Sequence, residues 1–148
     1  MFKPAKLAVL VLSVSALASA DAGKPPSTED LMATSLGSVA WKDAPAPVPK
    51  GVQVSPVAVD PASKGSVAYA KFPAGFDFPA HSHGLHEYTV VLSGKATFTL
   101  DGKAHEVGPG SYIVIPAKTV HSLKCHEESE CVVLTRRPGP TDYQWVQK

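Results

Sequence analysis

The stretch Gly75–Gly94, GFDFPAHSHGLHEYTVVLSG, decides how the chain is read. It holds His81, His83 and Glu87 in the spacing H-x-H-x3-E, with a glycine six residues before the first histidine and another seven after the glutamate. His81, His83, Leu85 and Glu87 share odd parity. Alternate side chains of a β-strand point to one face, so this spacing aims two imidazoles and a carboxylate at one point. Two nitrogens and an oxygen converging in a protected interior suit a divalent metal. Such a site needs a container and a further ligand.

Outward from that stretch the chain reads as short strands. Val52 to Val59 forms one, broken by Pro56, and Val67 to Phe72 forms a second, with the turn cluster Asp60–Gly65 between them. Phe76 to Pro79 leads into the histidine pair, and Glu87 to Leu92 is rich in branched and aromatic residues. Ala96–Leu100 and Lys103–Val107 flank Asp101-Gly102, a two-residue hairpin signal of type I′. Ser111–Ile115, Thr119–Cys125 and Cys131–Thr135 follow. Strands of this length without helical interludes predict an all-β antiparallel sandwich or barrel. Before it, residues 21–50 read as an arm. Ser27-Thr28-Glu29-Asp30 ahead of Leu31, Met32 and Leu36 predicts a short capped helix ending at Gly37. Pro45, Pro47 and Pro49 predict an extended run, and Trp41 is expected to pack the arm onto the barrel or a neighbouring subunit.

At 148 residues with a formal charge of +1, the chain suits one domain and carries no charge block that would favour nucleic acid or an anionic membrane. Residues 1–20 read as a signal peptide: Lys3 and Lys6, an apolar run from Leu7 to Leu17, then Ala18-Ser19-Ala20 as an A-x-A cleavage site. The apolar run falls short of the ~20 residues a bilayer span needs. The expected mature protein starts near Asp21, is periplasmic or secreted, and has no membrane segment. In an oxidising compartment, Cys125 and Cys131, the two cysteines of the chain, are expected to form a disulfide; a free thiol pair or a soft metal site is the alternative.

A second constellation lies downstream. Gly110 is followed after five residues by Pro116, then by Thr119-Val120-His121, and His121 shares parity with Leu123 and Cys125. Together the two segments resemble the cupin motifs. Gly75, His81, His83, Glu87 and Gly94 fill every position of G-x5-H-x-H-x3-4-E-x6-G, and Gly110, Pro116 and His121 match G-x5-P-x-G-x2-H-x3-N. Lys118 stands where that pattern has a glycine, and Cys125 where it has an asparagine. The motifs cover residues 75–125 of a barrel expected over residues 51–148.

The resemblance implies a single jelly-roll β-barrel with one divalent transition metal held by His81, His83, Glu87 and His121. Fe(II), Mn(II), Ni(II), Cu(II) and Zn(II) all suit such a set. It also implies open metal positions for a small-molecule substrate, with Glu87 able to leave the metal and act as a base. A metal-dependent dioxygenase or other oxidoreductase is one reading of this site. A non-catalytic metal- or ligand-binding module is a second, and a metal-dependent isomerase or lyase a third. Homodimers through outer strands and arms are common among cupins, and the segment Ala44–Lys50 resembles such an arm.

The remaining candidates divide by parity and position. His86 has the opposite parity to Glu87 and is expected to point away, while His105 and His126 are expected to be solvated. Phe76, Phe78, Tyr69, Phe98, Tyr112 and Val114 are candidates for an apolar lining. Arg136-Arg137 beside Pro138 reads as a solvated exit, and Thr141–Trp145 as a tail packing back on the barrel.

Overall fold

The structure, a computed structural model, describes residues 26–29 and 32–147. The expected signal peptide lies outside the described residues. The strands are β1 (Lys42–Asp43), β2 (Gln53–Val59), β3 (Ser66–Phe72), β4 (Asp77–Ser82), β5 (Glu87–Ser93), β6 (Ala96–Leu100), β7 (Lys103–Val107), β8 (Tyr112–Ile115), β9 (His121–Cys125), β10 (Cys131–Arg137) and β11 (Gln144–Trp145). They form two sheets, ordered β1-β2-β3-β10-β5-β8 and β11-β4-β9-β6-β7, with antiparallel pairings. This is an antiparallel barrel, as the strand pattern predicts, and of the jelly-roll kind that the cupin resemblance implies.

Local chemistry sets several of these elements. Pro56 carries no N–H, and β2 shifts register between Pro56 and Ala58 before pairing with β3 resumes. Asp101 and Gly102 both have positive φ, 47° and 77°, the pair of values a type I′ hairpin needs between β6 and β7. Gly94, also at positive φ, lies so close to β10 that a Cβ there would stand 2.4 Å from the Glu130 carbonyl oxygen. That motif glycine lets the turn after β5 pass under the start of β10.

The core fills the space between the sheets. Phe72, Phe78, Val91, Phe98, Leu123 and Val133 are buried there, drawn from strands of both sheets. Cys125 closes β9 and Cys131 opens β10, so the pair joins the two sheets at one end of the barrel. The two sit at disulfide distance, with Cα atoms 5.8 Å apart, and both are fully buried.

The arm departs from the sequence reading. Over the described residues, a 3-10 turn at Leu36–Ser38 stands where a capped helix was expected from Ser27; Asp30 and Leu31 lie outside them. Ser27 instead bridges Val59 in parallel, and its hydroxyl accepts a hydrogen bond from the Glu29 amide at 3.1 Å. A serine turn of this kind competes with a helix cap for the same hydroxyl, and pairing with β2 decides the contest. The proline run does not extend: it turns at residues 46–48, with the Val48 amide donating to the Pro45 carbonyl at 3.1 Å. The turn lets Val48 pack against the core. Trp41 does pack onto the barrel, under the Lys71 ammonium, which lies 4.6 Å from its ring centroid. On the edge strand β8, Tyr112 and Val114 face outward, 63% and 48% exposed, while Ile113 and Ile115 face the core. The two former residues are therefore no part of an inner lining.

Candidate metal centre

The three histidines meet through strand register. His81 on β4 is the antiparallel partner of His121, the first residue of β9, and their ring centroids are 4.1 Å apart. His83 follows the end of β4, with ring centroids 4.9 Å from His81 and 5.2 Å from His121. One nitrogen of each lies within 4.8 Å of the others, a spacing at which a single ion can be held. All three rings are 3% exposed, which puts the donors out of competition with bulk water.

Backbone carbonyls orient the rings. His81 Nδ1 bonds the Pro79 carbonyl at 2.8 Å, His121 Nδ1 bonds the Thr119 carbonyl at 3.0 Å, and His83 Nδ1 bonds the Asp142 carbonyl. A carbonyl only accepts, so each Nδ1 carries the proton and each Nε2 is left with a lone pair. The Nε2 atoms of His83 and His121 are buried and make no hydrogen bond. Orphaned buried acceptors at a common point are costly without a partner, and a divalent cation is the partner this donor set fits. Burial pushes the His81 pKa down to about 4, helped by the neighbouring His121 and His83 rings against the pull of the Pro79 carbonyl and Glu87. Burial likewise lowers His121. Both rings are therefore neutral at physiological pH, the form that binds metals.

Glu87 stands beside this group, on the opposite sheet at the start of β5. Its Oε2 lies 3.1 Å from His83 Nε2, but also 2.5 Å from an Arg137 nitrogen, and Thr89 Oγ1 donates to Oε1 at 3.1 Å. Burial alone would raise its pKa; Arg137, with His83 and His121, outweighs burial and holds it well below the usual carboxylate range. The carboxylate is thus charged in the interior and tied to a cation.

Arg137 corrects the sequence reading. It is the last residue of β10, mostly buried, and faces the site rather than solvent. Cys131, Val133, Thr135 and Arg137 share parity, the signal that would have found it had the strand been carried past Thr135. Arg136, of opposite parity, is exposed. The tail supplies what sequence reasoning left unassigned. β11 pairs with β4, placing Trp145 opposite His81, while Tyr143 stacks on Trp145 at 5.2 Å and lies 5.0 Å from the His83 ring. The Asp142 carboxylate accepts the Gly84 amide at 2.9 Å, fixing the loop after His83.

A cavity with about 80 Å³ open to the centres of water-sized molecules adjoins the group. That is several times what one water needs. His81, His121, Glu87, Arg137, Thr135 and Tyr143 form its polar side, and Val52, Val54, Ala70, Phe72, Phe78 and Phe98 belong to its apolar side. Of the expected lining, Phe78 and Phe98 are there; Tyr69 is buried but does not line the cavity, and Phe76 packs beside the core.

The other histidines stand outside the group. His86 is exposed and accepts the Ala117 amide at 2.9 Å. His105 is exposed on β7, whereas His126 is half-buried and pairs with Glu106 at 3.0 Å, so it is not simply solvated. Lys118 adopts φ 67°, the left-handed conformation the missing motif glycine would take, and its amide bonds the His83 carbonyl at 2.8 Å.

Residues 68–135 match the family model of the Cupin domain, a stretch that contains His81, His83, Glu87 and His121 but ends before Arg137 and the tail. A segment of 51 residues, 34% of the chain, is 45% identical to quercetin 2,3-dioxygenase of Bacillus subtilis (strain 168) and covers 15% of that protein. Another of 65 residues, 43% of the chain, is 35% identical to the DNA damage-repair/toleration protein DRT102 of Arabidopsis thaliana and covers 21% of it. The chain thus spans about a fifth or less of these curated relatives. A cupin 2 conserved barrel domain protein from Rhodopseudomonas palustris shares the fold, with a TM-score of 0.66 at 17% identity over 77% of this chain and 83% of that one. The match marks residues 68–135 as similar to the Cupin domain, and the structural likeness shows the shared fold.

Proposed function

We propose that this chain is an exported metal-binding cupin that presents one divalent transition metal, held by His81, His83 and His121 with Glu87 alongside, to a small molecule in the barrel cavity. The observation that carries this reading is the convergence of three buried imidazoles with every Nδ1 tied to a backbone carbonyl. A bound metal would supply Lewis acidity and, if redox-active, electron-transfer chemistry toward dioxygen.

The chain's own residues do the rest. The apolar wall excludes water and selects a compact, largely apolar molecule. Glu87, ionised and next to the histidines, presents a fixed negative charge to a bound molecule; Thr89 and Arg137 hold its carboxylate, and the pairing with Arg137 makes it a weak proton acceptor. The likeness to quercetin 2,3-dioxygenase over 51 residues favours a small-molecule oxygenase over an isomerase or a purely binding role. Export is supported by the leading twenty residues and by the cysteine pair at bonding distance. A homodimer is supported by the arm on the barrel wall and by Tyr112 and Val114 on the open edge strand.

The test is metal analysis and N-terminal sequencing of the protein recovered from a bacterial periplasm. About one transition metal per chain is expected, in a protein beginning near Asp21. His83→Ala is expected to lose the metal and His86→Ala to retain it; equal retention or equal loss would remove the assignment. Oxygen uptake by the metal-loaded protein on a panel of small aromatic and enolic compounds then separates an oxygenase from a binding module.

A further inference from the structure

We propose that Asp142 is a positioning residue for His83, so that metal binding and docking of the C-terminal tail on β4 are coupled. The inference rests on the metal-binding reading above. His81 and His121 are oriented by the carbonyls of Pro79 and Thr119, each two residues earlier in the same segment. His83 lies just past the end of β4 and takes its partner from the tail instead: its Nδ1 bonds the Asp142 carbonyl, 59 positions along the chain. The same residue grips the loop that follows, because the Gly84 amide donates to the Asp142 carboxylate at 2.9 Å. The Lys118 amide also holds the His83 carbonyl, at 2.8 Å, but a bond to the main chain leaves the ring free to change rotamer. Asp142 is what fixes the ring.

The tail that carries Asp142 has few backbone bonds. Gln144 and Trp145 of β11 pair with Ser82 and His81, and the Val146 amide adds a bond to the Ala80 carbonyl at 3.0 Å. So short a strand is marginal on those bonds alone. Its aromatic contacts include the histidines themselves: Tyr143 lies 5.0 Å from the His83 ring and 5.4 Å from His81, and Trp145 lies 5.2 Å from His81. An ion that locks His81 and His83 in place therefore also fixes the surface on which the tail docks. A docked tail, in turn, holds the His83 Nδ1 proton on a carbonyl and leaves the Nε2 lone pair for the ion. Coupling of this kind is reciprocal: whatever the tail adds to metal affinity, the metal adds to tail docking.

Zinc(II) is the probe, because it has no redox chemistry of its own, and Trp145 is the reporter. The chain has two tryptophans, so Trp41→Phe leaves Trp145 alone to report on the tail. Zinc is expected to lower the quenching of Trp145 emission by acrylamide; quenching that is the same with and without zinc overturns the proposal. In competition with a chelator, Asp142→Ala is expected to bind zinc about 10–100-fold more weakly, the loss that follows removal of a partner orienting a ligand histidine. Asp142→Asn keeps an oxygen to accept the Gly84 amide and is expected to recover most of that affinity. A loss of less than about tenfold in the Ala variant, or no recovery in the Asn variant, overturns the proposal. If Asp142→Ala does not fold, the Trp145 measurement, made with the site unaltered, decides. His83→Ala is the separate control: zinc binding that survives it unchanged defeats the metal-binding reading rather than this one.

Discussion

A buried histidine kept neutral makes stability depend on pH in a definite direction. The His81 pKa is lowered from 6.5 to about 4, so as pH falls the unfolded chain takes up its proton first. Stability from this group is complete above pH 6.5 and is lost as pH falls toward 4, a difference of about 3 kcal/mol. Glu87 acts in the adjoining window. Its folded pKa is depressed, so its contribution is present above its unfolded value of 4.5 and is lost at lower pH. Urea melts of chelator-treated protein between roughly pH 7.5 and pH 4 should show a midpoint that is level above about pH 6.5 and falls below it; a midpoint level throughout would contradict the His81 assignment, while the Glu87 loss belongs to still lower pH. Lys118 offers a second test. A side chain in the left-handed region costs about 1–2 kcal/mol, and glycine gives back about 0.5–1 kcal/mol through the entropy of the unfolded chain. Lys118→Gly should therefore stabilise the protein by roughly 0.5–1 kcal/mol in denaturant melts while leaving the Lys118 amide bond to the His83 carbonyl intact.

Between elements, the decisive contacts tie one sheet to the other. β9 ends at Cys125 and β10 begins at Cys131, on different sheets and at disulfide distance, so the proposed disulfide would close the barrel where the two sheets part. Reduction under native conditions should cost about 2–3 kcal/mol from the short loop alone. The check is a pair of denaturant melts with and without reductant; coincident curves would show that the link does not restrain the fold. The tail acts at the same scale. β11 has only two residues, Gln144 and Trp145, yet it lays Trp145 against His81 and brings the Asp142 carbonyl to His83. So short a strand has too few backbone bonds to stand alone. Stacking of Tyr143 and Trp145 against the histidine rings is what keeps it down.

For the molecule as a whole, the two sheets divide the labour. The sheet with β4 and β9 carries His81 and His121, with His83 just after β4, and the sheet with β5 and β10 carries Glu87 and Arg137. The site exists only where the inner faces meet. The outer face of the latter sheet leaves Tyr112 and Val114 uncovered on the edge strand β8, and the proposed dimer would cover them. Light scattering should give twice the chain mass, and Tyr112→Glu with Val114→Lys should reduce it to one; monomer in the unaltered protein would exclude the dimer.

The strand pattern, the hairpin at Asp101-Gly102 and the grouping of His81 with His83 are legible in the chain, although Glu87 reaches them from the opposite sheet and not from one shared strand face. These are local properties, written in alternation, turn chemistry and parity. The sequence also pointed to His121, because a second motif of fixed spacing stands at the start of a strand. What Glu87 faces is set by strand pairing. Its partner Arg137 is 50 positions away in the chain and becomes a neighbour through the pairing of β5 with β10. The same holds for the tail beside His83 and for Tyr112 turning outward, since alternation says that two faces differ without saying which one is the inside. Periodicity is read along the chain, whereas the charge balance around three buried imidazoles is set by which strands lie side by side.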